Sequence, residues 1–191
     1  MVPMLSLFRP LAQTSIRKSV AIYPRKSILG STFTVNAMSF PYKPNTEPPK
    51  DMTVFKNITQ VASLSDKFRR VLWTGRNSQL VIMTIPVDGE IGEEIHTVDQ
   101  HLNFHSGTAK AVVNGKTESI NPGDVVIVPA GAKHNFINTG KTPLIVSTVY
   151  APAEHKADTV HDSLEEGERL EEEGKDEPPA WAMELHKKDT A

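Results

Sequence analysis

Between residues 52 and 150 the chain is a succession of short apolar runs, each closed by a turn signal, and this punctuation narrows the fold more than any other feature. The runs are Arg70 to Trp73, Gln79 to Ile85, Ala111 to Val113, Val125 to Val128 and Leu144 to Val149. Their Val, Ile, Thr and aromatic content favours strands. Asn114-Gly115, set between Val112-Val113 and Lys116-Thr117, supplies two residues that tolerate positive φ, as a tight hairpin requires. Asn121-Pro122-Gly123-Asp124 marks a second turn. No segment here carries a long 3.6-residue apolar period, so the expectation is an all-β core, sandwich or barrel, for which about 100 residues suffice.

The 191-residue chain has no cysteine, which excludes a disulfide framework, thiolate metal sites and thiol catalysis. Any metal must therefore sit on imidazole, carboxylate or amide ligands. A net charge of -2 provides no field for a polyphosphate, so nucleic acid is not an expected partner. The charge is unevenly placed. Residues 1 to 46 carry Arg9, Arg17, Lys18, Arg25, Lys26 and Lys43 and no acidic residue, leaving 15 basic against 23 acidic side chains in the rest. With its many serines and threonines, this leader has the composition of an organellar presequence. Its apolar runs fall far short of the roughly 20 residues of a membrane span. Residues 1–45 are therefore expected to be a mitochondrial targeting segment and linker, a plain basic arm on a cytoplasmic protein being the alternative. Pro41, Pro44, Pro48 and Pro49 give the stretch from Phe40 to Lys50 the character of a linker.

The barrel with its lead-in is assigned to residues 46–155 and an acidic, partly helical tail to 156–191. In that tail Ser163 and Glu166 form a capping-box pattern and Gly174 marks a helix stop. The run of glutamates reads as a solvated face with no assigned chemistry, and His155 and His161 as solvent-exposed.

The stretch from Gly92 to Gly107 holds the chemistry. In an extended chain Glu94 and His96 share a face while Ile95 points away, and if parity survives the turn at Val98-Asp99, Gln100 joins them. His101, the alternative to Gln100, needs a bulge to turn inward. His134 arrives from a later strand that follows the Pro129-Ala130-Gly131 turn. Val81, Met83, Phe104, Phe136 and Val146 are the expected apolar walls of the pocket.

These spacings resemble the cupin superfamily. Its second motif, Gly, five residues, Pro-x-Gly, two residues, His, three residues, Asn, is met at Gly123, Pro129, Gly131, His134 and Asn138. Its first motif is met in spacing with altered ligands: Glu94 and His96 occupy the two His positions, Gln100 the Glu position and Gly107 the closing Gly, while Asp88 stands at the opening Gly. The resemblance implies a double-stranded β-helix, or jelly-roll, barrel over about residues 52 to 150. The Asp99-Gln100 pair and the segment from Tyr150 to His155 look like the small single-domain cupins labelled mannose-6-phosphate isomerase-like, a label that does not establish a reaction.

Two imidazoles, one carboxylate and an amide compose a site for a divalent ion. His96, His134 and Glu94 suit Fe(II), with Mn, Ni or Zn as alternatives, and Gln100 is either a weak ligand or a hydrogen-bonding neighbour. The expected function is metal-dependent action on a small molecule, an oxidoreductase of the dioxygenase type, with Glu94 as its catalytic residue. The alternatives are a sugar-phosphate isomerase-like enzyme and a nonenzymatic module that binds a small ligand. A homodimer through exposed barrel strands is the expected assembly.

Overall fold

The structure, a computed structural model, describes residues 39–183, so nearly all of the proposed targeting segment lies outside it. The strands are β1 (Arg69–Thr74), β2 (Gln79–Ile85), β3 (Asp99–Ser106), β4 (Ala109–Val113), β5 (Lys116–Ile120), β6 (Val125–Val128), β7 (His134–Asn138), β8 (Leu144–Ala151) and β9 (Val160–His161). A six-stranded sheet runs β6-β3-β8-β2-β1-β9 and a three-stranded sheet runs β5-β4-β7, with antiparallel neighbours throughout. The apolar runs of the sequence thus become strands, and the two sheets form the jelly roll of the resemblance.

Local chemistry sets the turns. Asn114 and Gly115 sit at φ 47° and 77°, the double positive φ that matches the twist of a two-residue hairpin joining β4 to β5. Gly107 also has positive φ, at 79°, and there a Cβ would stand 2.9 Å from both Leu144 Cα and Pro143 O. Backbone cannot yield as a flexible side chain can. Gly107→Ala is expected to lower stability by at least ~1–2 kcal/mol through the left-handed conformation alone, with the clash adding to it. A chemical-denaturation midpoint equal to wild type would refute this account of the motif's closing glycine.

Strand alternation sends one face of the large sheet into the main core, where Phe104 and Phe136 meet with ring centroids 5.5 Å apart among Val81, Met83 and Val146. All five are essentially solvent-free. They are close-packed core, not the open pocket walls expected from sequence. The opposite face, with Leu72, Ile82 and Ile145, is covered by the six-residue helix α1 (Ile58–Ser63) and by Phe40, Tyr42 and Phe55. Phe40 stacks near Tyr42, and Tyr42 near Phe55. The Pro-rich stretch is therefore anchored by its aromatic residues, although its prolines deny it regular hydrogen bonds. Helix α1 is too short for an apolar period to announce it.

Beyond β8 the chain does not hang loose. β9 pairs with β1, placing His161 opposite Arg69. Helix α2 (Leu164–Glu172) is capped by Ser163, whose hydroxyl accepts from Glu166 N at 3.3 Å, while the Glu166 carboxylate accepts from Asp162 N. It ends at Gly174, φ 64°, where Lys175 N donates to Leu170 O and Gly174 N to Glu171 O, a Schellman closure. A last short helix, α3 (Ala180–Met183), buries Ala182 and half-buries Trp181.

Candidate metal centre

Two distant stretches meet through one antiparallel bridge. Glu94 N donates to His134 O at 2.9 Å and His134 N donates to Glu94 O at 3.0 Å. Gly131 N donates to His96 O, tying the Pro-x-Gly turn to the same segment. The extended alternation anticipated from sequence holds locally, although residues 94–96 form no regular strand: Ile95 is 63 % exposed, while Glu94 and His96 turn inward. Glu94 Oε2 lies 3.0 Å from His96 Nε2 and 3.9 Å from His134 Nε2, and the two imidazole centroids are 5.2 Å apart.

Each imidazole is held from behind. His134 Nδ1 is 2.9 Å from Ala132 O, which as a carbonyl can only accept, so Nδ1 carries the proton and Nε2 is left as a lone pair. That buried Nε2 has no hydrogen-bond partner. His96 Nδ1 is 3.0 Å from Glu154 Oε1, again leaving Nε2 to face Glu94 and His134. A carboxylate or carbonyl on the outer nitrogen with the inner nitrogen presented to a common point is the arrangement that orients metal-binding histidines.

Gln100 is fully buried on β3, opposite Tyr150 of β8, and neither its amide nitrogen nor its amide oxygen has a partner. The Tyr150 hydroxyl is likewise buried and unpaired, and its ring meets His96 edge-on at 5.5 Å. Orphaned polar atoms of this kind are costly unless a ligand satisfies them. His101, by contrast, lies exposed on the other face of β3 and is not brought to the cluster. The residues brought together, two inward imidazoles and a carboxylate, fit a divalent ion.

Sequence reasoning did not find Arg69. This side chain is 1 % exposed, with Nη2 2.8 Å from Glu94 Oε1 and Nη1 bonded to Glu171 Oε1. It fixes one carboxylate oxygen of Glu94 and leaves the other, Oε2, for the imidazoles. Burial opposes the charge of Glu94, but Arg69 and His96 outweigh it and hold the pKa down at about 2. Burial also opposes protonation of His96, but its bonds to Glu154 and Glu94 prevail and raise the pKa to about 9. Without a cation, a proton on His96 occupies the place between it and Glu94. The signal for Arg69 was present in the sequence: on β1 it shares parity with Val71, an inward apolar position.

On the far side of Arg69, His155 and His161 are buried, not solvated, because the β9–α2 segment folds over them. His155 Nδ1 lies 2.8 Å from Asp176 Oδ2. Burial, reinforced by Arg69 and only partly countered by Asp176, lowers the His155 pKa from 6.5 to about 4. The sign follows: the folded state holds this ring neutral, so its contribution is complete above about pH 6.5 and is lost as pH falls toward about 4. With chelator present, unfolding free energy is expected to drop over that window, by at most ~1.4 kcal/mol per pH unit for this one group. His155→Gln should flatten the profile, and an unchanged slope in the variant would refute the assignment.

Asn138 is a structural residue. Its amide donates to Ile85 O, Pro86 O and Thr142 O, and its oxygen accepts from Gly140 N.

The Cupin domain family matches residues 81–150. The chain is 36 % identical over 122 residues to the uncharacterized protein YrkC of Bacillus subtilis, covering 60 % of this chain and 64 % of YrkC. It is 32 % identical over 104 residues to the uncharacterized protein L612 of Acanthamoeba polyphaga mimivirus, covering 52 % of this chain and 65 % of L612. The matched regions therefore span just under two thirds of these curated relatives. Among solved structures, BH2720 of Bacillus halodurans superposes with a TM-score of 0.60 at 33 % identity, over 63 % of this chain and 96 % of that one. Fold, second-motif residues and these likenesses agree, and the chain belongs to the cupin superfamily.

Proposed function

We propose that this cupin is a metal-dependent enzyme acting on a small molecule, an oxidoreductase of the dioxygenase type with Fe(II) as its ion. One observation carries the reading: His96 and His134 each have Nδ1 engaged from behind and Nε2 turned toward Glu94 Oε2. Glu94, His96 and His134 would hold the ion. Fe(II) supplies redox chemistry toward dioxygen, while Mn, Ni or Zn would confine the site to polarising a substrate. Gln100, a neutral and weak donor, serves best as a hydrogen-bonding group for whatever fills the pocket beside Tyr150.

The isomerase alternative needs a general base, and neither Glu94 nor Glu93 is placed for it. Glu94 is held ionised by Arg69 at a pKa of about 2, far below the range a base at neutral pH requires. Glu93 points outward, 2.6 Å from Lys133 Nζ. The likeness to mannose-6-phosphate isomerase-like cupins remains part of the proposal as a subgroup, without its reaction.

The test is elemental analysis of the purified chain, then anaerobic Fe(II) loading and an oxygen-uptake screen over candidate substrates. Uptake above background that disappears in Glu94→Gln supports the oxygenase. Tight Zn or Mn with no oxygen chemistry, and only a modest affinity change in Glu94→Gln, turns the reading to a binder.

We also propose mitochondrial import through residues 1–45, supported by their charge and serine content. Fusing that segment ahead of a reporter tests it, and a diffuse cytosolic signal ends the idea. A homodimer is proposed through β6, an edge strand whose Val125 and Ile127 are each more than half exposed. Light scattering should show a dimer that Ile127→Lys dissociates; a monomeric wild type overturns it.

A further inference from the structure

Across Arg69 from the candidate centre lies a second cluster, built from the segment that follows β8. Asp176 Oδ2 stands 2.8 Å from His155 Nδ1 and 3.5 Å from His161 Nε2, and Glu171 Oε1 stands 3.8 Å from His155 Nδ1. The ligand atoms of His155, Glu171 and Asp176 all fall within 4.8 Å of one another. Donors about 2.0–2.2 Å from a tetrahedral ion are separated by roughly 3.3–3.6 Å, so these spacings bracket what such an ion needs.

Two further observations point to a cation. His161 is 2 % exposed, its Nδ1 has no partner, and its Nε2 aims at Asp176 from beyond ordinary hydrogen-bond length. A cation between His161 Nε2 and Asp176 would supply the neighbour this buried imidazole lacks on that side. Asp176 is buried as well: its Oδ1 accepts from Lys156 N at 3.2 Å and from the Thr159 hydroxyl, while its Oδ2 faces the two imidazoles. The guanidinium of Arg69 is shared between Glu94 and Glu171. Glu171 and Asp176 therefore converge on His155 with only a shared guanidinium nearby, a pair of like charges that a bound cation would bridge.

We propose that His155, His161, Asp176 and Glu171 form a second metal site, for an ion of the Zn(II) class, that fastens the β9–α2 segment to the barrel. Two imidazoles and two carboxylates supply four oxygen and nitrogen donors, all from residues 155 to 176. A recess of about 240 Å³ lined by Glu154, His155, Glu171, Asp176 and Glu177 opens beside it and gives an acidic path for a cation to enter. The site neither includes nor requires the proposed oxygen chemistry. Its role is to hold the fold.

The test strips the full-length chain with chelator, titrates it with Zn(II), and counts bound ions by elemental analysis after gel filtration. Two ions per wild-type chain are expected, one in His134→Asn, which spares this cluster, and one in His161→Asn. In the His134→Asn background, Zn(II) should slow amide hydrogen exchange across residues 155–176, a readout independent of activity. Glu171→Gln, at a partly exposed position, should weaken the second ion at least ~10-fold, about 1.4 kcal/mol, and serves if His161→Asn fails to fold. A His134→Asn protein that binds no Zn(II) overturns the proposal and leaves the first centre standing. Two ions retained with unchanged affinity in both His161→Asn and Glu171→Gln also overturns it.

Discussion

Arg69→Met is expected to lower the unfolding free energy of the metal-free protein by about 3–5 kcal/mol, the cost of removing one partner from a buried ion pair. Two carboxylates lose their cation at once: Glu94, which is nearly enclosed, and Glu171, which is partly open to water. Glu94 then has only His96 and the more distant His134 to meet its charge. Burial, no longer opposed by the guanidinium, pushes its pKa upward, so the loss is relieved only when the carboxyl takes up a proton. Arg69→Lys should be milder, because an ammonium keeps the charge but lacks the fork that reaches Glu94 and Glu171 together. Urea denaturation with chelator present measures both variants. A methionine variant within ~1 kcal/mol of wild type would show that the guanidinium is not what steadies Glu94.

The second large effect is on the cation. His134→Asn is expected to weaken divalent-ion binding at the candidate centre at least ~100-fold, beyond the 10–100-fold typical of losing a residue that merely supports a ligand. The fold should survive. Among the described residues the imidazole hydrogen-bonds only to Ala132 O, and the main-chain bridge to Glu94 that joins the two stretches does not depend on the side chain. Competition with a chromophoric chelator reads the affinity, and the denaturation midpoint confirms that structure is retained. Unaltered affinity in a folded variant would remove His134 from the site and with it the proposed function.

The sequence made the barrel readable because turns and alternation are local. Asn114-Gly115, the Pro-x-Gly turn and the β-branched runs each act over a few residues, and each appears where the pattern put it. Glu94, His96, Gln100 and His134 were legible for the same reason: period-two parity and a motif spacing place them on one face. Parity also separated Gln100 from His101, which the structure leaves in solvent. What stayed hidden is non-local. Arg69 pairs with Glu94 25 positions away and with Glu171 102 positions away. His155 and His161 looked like surface residues because nothing nearby in sequence announces that β9 and α2 fold back across them. The glutamate run of the tail resembled a solvated face because most of its carboxylates stay at the surface, while Glu171 reaches the buried Arg69.

Arg69 also bears on how proteins sharing this barrel come to differ. The family match spans residues 81–150, yet the side chain that steadies Glu94 precedes it and the carboxylate that steadies that side chain follows it. The family match thus covers the middle of the chain, while the electrical setting of the centre is written in its flanks. A chimera that grafts residues 81–150 between flanks without an equivalent arginine would inherit the three would-be ligands and lose the counter-charge that aims one of them.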